Sequence, residues 1–207
     1  MGQINVEYNV GGIEGLCVIT PKRHGDRRGY FMETYNENDM KEVGFDYVFV
    51  QDNQSMSSKG VLRGMHYQIN HPQTKLVRVI RGKVFDVVID LREGSATYGQ
   101  WHGEILTEEN GRQFLIPRGF AHGFLVLSDY AEFCYKCDDF YHANDEGGLA
   151  WNDPEIGIEW PGLTGEYPGN ASGAGYKLVD GTPLNLSEKD QRWERLSSLK
   201  QPFSGSL

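Results

Sequence analysis

Two histidines follow glycines at regular spacings and are the strongest candidates for chemistry. His66 follows Gly60 with five residues between them, and His122 ends the pattern G-x5-P-x-G-x2-H that begins at Gly111. A histidine with its unperturbed pKa of about 6.5 exchanges protons near neutral pH and is also a common metal ligand. A histidine taken alone is more often a hydrogen-bonded structural residue, so the surrounding residues must decide between these roles.

The two frames resemble the first and second motifs of the cupin superfamily, a small double-sheet β-barrel. In metal-binding cupins, the first motif continues with a second histidine and then a glutamate ligand. Here Gln68 stands in place of that histidine, and Lys75 stands where the glutamate would be. An ammonium group has no free lone pair to offer a metal, and two histidines are fewer than the three protein ligands of a typical catalytic site. We therefore expect a site without a metal.

A metal-free pocket that holds histidine, lysine and arginine suits the removal of a proton next to a carbonyl group. The base takes the α-proton, and a positioned cation or donor stabilises the charge that develops on the carbonyl oxygen. Inversion of the carbon also needs an acid on the opposite face, and a tyrosine hydroxyl can supply that proton.

A larger set of segments makes a resemblance to one family specific. These segments are residues 25–33, 51–53, 63–68, 75–78, 86–92, 116–124, 135–136, 151–158 and 186–190. With them the chain resembles the dTDP-4-dehydrorhamnose 3,5-epimerases, which act between the dehydratase and the reductase of dTDP-L-rhamnose synthesis. The matches span nearly all of residues 16–160 and a C-terminal segment.

The resemblance implies a role for each matching residue. His66 would be the base, and Asp190 would hold its imidazole in the required tautomer. Tyr135 would be the acid on the other face of the sugar ring, and Lys75 would stabilise the enolate oxygen. The residues implied to bind the nucleotide-sugar are Arg28, Glu33, Gln51, Asp52, Asn53, Arg63, His122, Glu146 and Lys189. The resemblance further implies no cofactor and a homodimer, in which strand exchange supplies part of the nucleotide site.

Several of these residues also have an ordinary structural interpretation. Tyr135 is one of 11 tyrosines and would otherwise be a core aromatic residue. Asp190 lies three residues after Ser187, where an acidic side chain can reach back to the backbone N–H of a helix N-cap. His122 could be a packing residue of the barrel, and arginines are by default exposed surface charges.

Composition and charge limit the possible partners. The chain has 207 residues, 39% hydrophobic and 24% charged, which is typical of a soluble globular domain. A formal net charge of -9 argues against nucleic acid as a partner but leaves room for a small anionic ligand. No apolar run approaches the ~18 residues of a spanning helix. Residues 1–5 show no secretory signal, so we expect a cytoplasmic protein.

The three cysteines do not form a disulfide framework. Cys134 and Cys137 form a single C-x-x-C sequence within a β-type run. Residues three apart on a strand point to opposite faces, so we expect packing thiols rather than a metal or redox pair.

Short β-type runs separated by turn residues dominate the chain and favour an antiparallel all-β fold. Together with the resemblance, they predict a cupin-type double-sheet jelly-roll β-barrel with short C-terminal helices. The predicted strands are residues 76–80, 84–90, 101–106, 113–116, 123–127 and 131–136. The predicted helices are residues 36–43 and residues 187–196, the second with Ser187 as its N-cap.

We expect one domain over residues 1–207. It would comprise an N-terminal extension (1–50), a jelly-roll core (about 51–160), a long Gly/Pro loop (161–185) and a helical tail (186–207). The loop is longer than the family resemblance leads us to expect, which weakens the placement of Lys189 and Asp190.

The function implied by the resemblance is epimerisation of dTDP-4-dehydro-6-deoxy-D-glucose at C3 and C5, next to its 4-keto group. A related epimerase that acts at one carbon, or on another nucleotide, is the nearest alternative. Two other classes remain open at this point: a non-catalytic sugar-nucleotide-binding cupin, and a metal-dependent cupin oxygenase or isomerase.

Overall fold

The computed structural model describes residues 3–165, 171–200 and 202–203. Within these residues the chain forms fifteen β-strands and one α-helix. The strands are β1 (Ile4–Tyr8), β2 (Cys17–Pro21), β3 (Arg23–Asp26), β4 (Gly29–Met32), β5 (Gln51–Ser58), β6 (Leu62–Gln68), β7 (Lys75–Arg81), β8 (Lys83–Asp90), β9 (Trp101–Thr107), β10 (Gln113–Ile116), β11 (Phe120–Val126), β12 (Tyr130–Cys137), β13 (Glu146–Gly148), β14 (Leu163–Thr164) and β15 (Lys177–Leu178). The helix is α1 (Glu37–Glu42), and 3₁₀ turns lie at Val10–Gly12, Ala143–Asp145 and Leu196–Ser198.

Two antiparallel sheets form the barrel. The six-stranded sheet has the order β1-β2-β10-β7-β12-β5, and the five-stranded sheet has the order β13-β6-β11-β8-β9. Two separate hairpins, β3–β4 and β14–β15, lie outside these sheets. The predicted all-β, cupin-type jelly roll is therefore confirmed.

The first fifty residues are more than an extension of the barrel. Strand β2 pairs with β10, and β1 pairs with β2, so both belong to the six-stranded sheet. The helix predicted at residues 36–43 is confirmed as α1, which begins after Asn36 because that side chain accepts hydrogen bonds from the backbone N–H groups of Asn38 and Asp39. No helix among the described residues has the length and apolar character needed to cross a membrane.

Strand alternation decides which side chains face the barrel interior. In β8, Val84 and Val88 pack between the two sheets, whereas Phe85, Val87 and Ile89 pack on the outer side of the five-stranded sheet. Residues 149–160 and the loops after them cover that outer side, and Trp151 is its largest fully buried side chain. A second consequence of the alternation is that Asp86 faces the interior.

The helix predicted at residues 187–196 is wrong. One turn forms: the Ser187 hydroxyl accepts from the backbone N–H of Asp190, and the N–H of Gln191 donates to the Ser187 carbonyl. The chain then continues without α-helix, because the Ala150 N–H donates to the Glu194 carbonyl and the Asp153 carboxylate accepts from the Leu196 N–H. These contacts with the barrel outweigh the local helical preference.

The described part of the Gly/Pro loop packs on the barrel. The Trp151 indole N–H donates to the Ala171 carbonyl at 2.7 Å, and the Tyr176 ring meets the Trp151 ring edge-on at 4.9 Å. Lys59 forms an ion pair of 2.5 Å with Asp180. The loop therefore delivers the C-terminal segment to a fixed place beside β6, where the Leu62 N–H donates to the Asn185 carbonyl.

Candidate active site

A cavity of 690 Å³ opens between the two sheets and the C-terminal segment. Its volume falls in the range of small-molecule sites. Its walls include Asn53, Arg63, His66, Lys75, His122, Phe124, Phe133, Tyr135, Ser187, Lys189 and Asp190. A second, polar lobe of 220 Å³ shares Asn53, His66, Lys75 and Tyr135 with this cavity and adds Gln51, Gln73, Tyr141 and Glu146.

Two glycines allow the strands that carry His66 and His122 to approach closely. His66 on β6 lies opposite His122 on β11. A Cβ atom on Gly123 would lie 2.6 Å from the Arg63 carbonyl oxygen and 3.0 Å from the Gly64 Cα. Gly64 also has a φ of 135°, which residues with a side chain rarely adopt. Any larger residue at either place would move His66.

His66 and Asp190 form a dyad. The His66 Nε2 lies 2.5 Å from Asp190 Oδ1, and the Trp193 indole N–H donates to the same oxygen at 3.3 Å. Burial acts to raise the pKa of Asp190, but the bonds from His66, Ser187 and Trp193 outweigh it and hold this pKa below its usual value. Asp190 is therefore an ionised acceptor at neutral pH, and its contact with His66 is present despite the longer preceding loop.

The dyad fixes which nitrogen of His66 can act as a base. An ionised carboxylate only accepts hydrogen bonds, so Nε2 carries the proton and donates it to Asp190. The other nitrogen, Nδ1, then carries the free lone pair. Because His66 borders both lobes of the cavity, this lone pair is available to a bound substrate.

Replacing Asp190 with asparagine is expected to lower kcat by roughly 10²–10⁴-fold with little change in KM, because the amide no longer selects the Nε2–H tautomer. Steady-state kinetics on the purified variant measure this. Asp180→Asn, which alters another ion-paired carboxylate of the C-terminal region, is the matched control. An Asp190→Asn enzyme within threefold of the unmodified protein would contradict the dyad's role.

Tyr135 and Lys75 complete the set of proton-transfer and charged groups. Tyr135 on β12 borders both lobes together with His66. Burial raises the pKa of Tyr135, which keeps the phenol protonated at neutral pH and able to act as an acid. Burial lowers the pKa of Lys75, although the nearby Cys137, Asp86 and Glu146 act in the opposite direction.

The lowered pKa of Lys75 predicts a pH dependence. The Lys75 side chain carries its positive charge only below its pKa. Activity that needs this charge should therefore fall as the pH rises, and it should do so below the pKa of ~10.4 of a free lysine. Lys75→Met should lower kcat roughly 10²–10³-fold and remove this alkaline limb. The control is Lys136→Met, which alters a lysine paired with Asp52 outside the cavity. A pH–rate profile whose alkaline limb stays at the same pH in Lys75→Met would refute the assignment.

A second histidine–carboxylate pair lies next to the first. The His122 Nε2 is 2.9 Å and 3.0 Å from the two carboxylate oxygens of Asp86, and both residues are buried. Sequence analysis identified His122 but gave Asp86 no role. The signal was available, since Asp86 is an acidic residue inside the apolar run Val84–Ile89 and needs a partner when buried.

Basic and polar side chains border the opening of the cavity. Arg63 is exposed and donates from Nε to the Ser57 hydroxyl at 3.1 Å. Lys189 donates to Glu146 at 2.6 Å, which links the C-terminal segment to β13. Gln51 donates to Asn53 at 3.0 Å, and both line the polar lobe. These residues of the predicted set are brought together by the fold.

Three residues of the predicted set lie elsewhere in the chain's own fold. Asp52 alternates with Gln51 and Asn53 along β5, so it points to the opposite face and pairs with Lys136 at 2.9 Å. Arg28 lies on the exposed β3–β4 hairpin, where it pairs with Asp26. Glu33 follows the same hairpin and is exposed. None of the three lines the cavity within the described residues.

The residues that stand where other cupins have metal ligands make other contacts here. Gln68 donates to the His142 carbonyl and accepts from the His142 N–H, and Lys75 borders the cavity. Over the described ranges, no three His, Cys, Asp or Glu side chains are arranged to hold a metal ion. Cys134 and Cys137 are free thiols, with Cys134 on the outer groove beside Arg78 and Cys137 buried.

The jelly-roll barrel and its cavity, with a histidine–aspartate dyad, a tyrosine and a lysine, define a cupin-type carbohydrate epimerase. Comparison with known proteins agrees: residues 11–198 match the family model of dTDP-4-dehydrorhamnose 3,5-epimerase. The chain therefore belongs to the dTDP-4-dehydrorhamnose 3,5-epimerase family.

Individual relatives are similar over most of their length. The dTDP-4-dehydrorhamnose 3,5-epimerase of Methanothermobacter thermautotrophicus is 50% identical over 89% of this chain and 91% of its own. The enzyme of the same name from Pseudomonas aeruginosa is 55% identical over 72% of this chain and 83% of its own. A dTDP-6-deoxy-D-glucose-3,5-epimerase of Legionella pneumophila, solved with dTDP-4-keto-L-rhamnose, is 43% identical with a TM-score of 0.84, covering 98% of this chain and 100% of its own.

Proposed function

We propose that the chain converts dTDP-4-dehydro-6-deoxy-D-glucose to dTDP-4-dehydro-L-rhamnose by inverting C3 and C5. The observation that carries this proposal is the shared cavity wall of His66, Tyr135 and Lys75, with Asp190 bonded to His66 from behind. Both carbons lie next to the 4-keto group, so one set of groups suits both inversions. The Legionella relative, solved with dTDP-4-keto-L-rhamnose, supports the substrate class.

The reaction is a proton exchange through an enolate. The Nδ1 lone pair of His66 takes the proton from the carbon next to the ketone. The C–H electrons form a C=C bond to the carbonyl carbon, and the C=O π electrons move onto the oxygen. The ammonium of Lys75 stabilises the resulting negative charge. Tyr135 then donates its phenolic proton to the opposite face of the same carbon, which inverts it. No electrons are gained or lost, so no redox cofactor is required.

The nucleotide part is assigned to the opening of the cavity. Arg63 and Lys189 provide positive charge for the diphosphate, and a guanidinium binds phosphate oxygens in pairs. Gln51, Asn53 and His122 are assigned to the sugar and ribose hydroxyls, and Glu146 holds Lys189 in place. The same cavity charges select an anionic ligand despite the net charge of -9.

We also propose that the working enzyme is a homodimer, in which the hairpin of one copy completes the nucleotide site of the other. This would account for Arg28 and Glu33, which lie outside the chain's own cavity. The hairpin exposes Tyr30 and Phe31 by 58% and 66%, as expected for a segment that another copy covers.

An equal mixture of Arg28→Ala and His66→Ala protein tests this exchange. If partners share residues, up to about a quarter of the sites should be active, because about half of the dimers are mixed and each mixed dimer has one intact site. If the mixture regains no activity, the exchange is contradicted.

A cytoplasmic location stays a prediction.

A panel of nucleotide sugars tests the substrate. The enzyme is incubated with the 4-keto-6-deoxyglucose derivatives of dTDP, UDP, CDP and GDP, and turnover is followed by NMR. We expect kcat/KM to be highest for dTDP. Preference for another base would contradict the nucleotide assignment, and binding without turnover would indicate a non-catalytic cupin. A parallel arm with a chelator tests the metal-free mechanism: activity lost and then restored by added metal would overturn it.

A further inference from the structure

Glu146 lies beside the base on the side away from Asp190. We propose that Glu146 is a proton relay, which takes the proton from His66 after each abstraction and passes it to solvent. The relay would reset the base between the two carbons of one substrate. This inference rests on the proposed function. An enzyme that inverted only one carbon of each substrate would not need to reset its base while the sugar stays bound.

The geometry places Glu146 between the base and the surface. Its Oε1 lies 3.9 Å from His66 Nδ1, the nitrogen that Asp190 leaves free. Its Oε2 accepts from Lys189 Nζ at 2.6 Å. The Lys189 side chain is 45% exposed and that of Glu146 is 15% exposed. One oxygen thus faces the imidazole, and the other faces a group in contact with solvent.

Of the carboxylates near the base in the described part of the chain, Glu146 is the one placed for this task. Asp190 occupies Nε2 and must stay there to fix the tautomer. Asp86 is paired with His122 through both of its oxygens. The distance of 3.9 Å exceeds a hydrogen bond, so transfer follows a small rotation of the flexible Glu146 side chain or passes through one water.

The proton balance shows why a relay is needed. After the first inversion, His66 holds the proton that it removed, and Tyr135 has become a phenolate. The second carbon requires neutral His66 and protonated Tyr135 again. In the reset, the Nδ1–H proton moves to the Glu146 carboxylate and then to water, and water returns a proton to the phenolate. One proton leaves and one enters, with no change in charge.

The polar lobe gives both groups access to water. His66, Tyr135 and Glu146 all border it, together with the amides of Gln51 and Gln73. Its volume of 220 Å³ is large enough for water molecules beside the reacting groups. A chain of waters in this lobe can therefore connect the relay and the phenolate to the same pool.

The test compares Glu146→Gln with Lys189→Gln in single- and multiple-turnover experiments on dTDP-4-dehydro-6-deoxy-D-glucose in D₂O with little buffer. Glutamine nearly keeps the shape of Glu146 and still accepts from Lys189, but it cannot take a proton. Lys189→Gln breaks the same ion pair and leaves the carboxylate in place. Products are analysed by NMR for deuterium and configuration at C3 and C5, and each series is repeated with added formate.

For Glu146→Gln we expect a first inversion within about threefold of the unmodified enzyme, later steps slowed ~10–100-fold, and sugar inverted at one carbon released into solution. Formate should restore at least about a third of the rate by acting as a replacement carboxylate. Lys189→Gln should not respond to formate. A uniform loss in Glu146→Gln without formate response would show a merely structural role, and unchanged kinetics would refute the relay. Both results leave the proposed function standing, whereas an unmodified enzyme without turnover would overturn both proposals.

Discussion

Replacing His66 with alanine is expected to abolish epimerisation, with kcat lower by at least about 10³-fold, while the Kd for dTDP changes by no more than a few-fold. The reason is that His66 Nδ1 is the one basic lone pair that the dyad directs into the cavity, whereas the nucleotide is assigned to Arg63 and Lys189 at its opening. Isothermal titration with dTDP and an NMR turnover assay measure the two quantities.

His102→Gln is the matched control for this change. His102 also has a carboxylate partner, Glu104 at 2.9 Å, but lies on β9 and does not line the cavity. Its variant should retain activity. If His66→Ala kept a tenth or more of the rate, another group would have to be the base, and the nearby His122–Asp86 pair would be the first to examine.

Replacing Tyr135 with phenylalanine is expected to separate exchange from inversion. His66 would still remove the α-proton and return a solvent-derived one to the same face, so deuterium from D₂O would enter the unchanged sugar. Inversion would fall by roughly 10²–10⁴-fold, because the opposite face has lost its proton donor. NMR of the recovered substrate and product measures deuterium content and configuration together.

Tyr130→Phe on the same strand serves as the control, since Tyr130 is 46% exposed at the start of β12. The two-face arrangement would be contradicted if deuterium exchange and inversion declined together in Tyr135→Phe. Retained inversion would show that the acid is a different residue. The phenylalanine keeps the ring that packs beside Phe133, so loss of the fold is not expected.

The placement of the candidate catalytic side chains could be predicted where neighbouring residues in the sequence determine it. Gly64 before His66 and Gly123 after His122 allow the two strands to approach, and the strand period then places both histidines on the interior face. The contact between His66 and Asp190 spans 124 residues and came from family resemblance, because spacing alone cannot show a contact across a long loop. The packing of that loop against Trp151 supplies the missing constraint.

Other features depended on tertiary contacts that sequence patterns do not contain. Residues 187–196 have helical composition and a good N-cap, yet hydrogen bonds from Ala150 and to Asp153 prevent an α-helix from continuing beyond one turn. Asp52 points away from the cavity that Gln51 and Asn53 border, and strand alternation could have indicated this, since three successive strand residues cannot all face one side. Arg28 and Glu33 illustrate a different limit: the role proposed for them lies in another copy's site, and the geometry of a single chain does not test it.

The incorporation of solvent deuterium during turnover tests the central claim most directly. The unmodified enzyme is incubated with dTDP-4-dehydro-6-deoxy-D-glucose in D₂O, and the product is analysed by NMR. A single base and a single acid on opposite faces predict deuterium at both C3 and C5, with both carbons inverted. Deuterium and inversion at only one of the two carbons would contradict the double epimerisation, and inversion without any deuterium would contradict proton exchange through His66 and Tyr135 altogether.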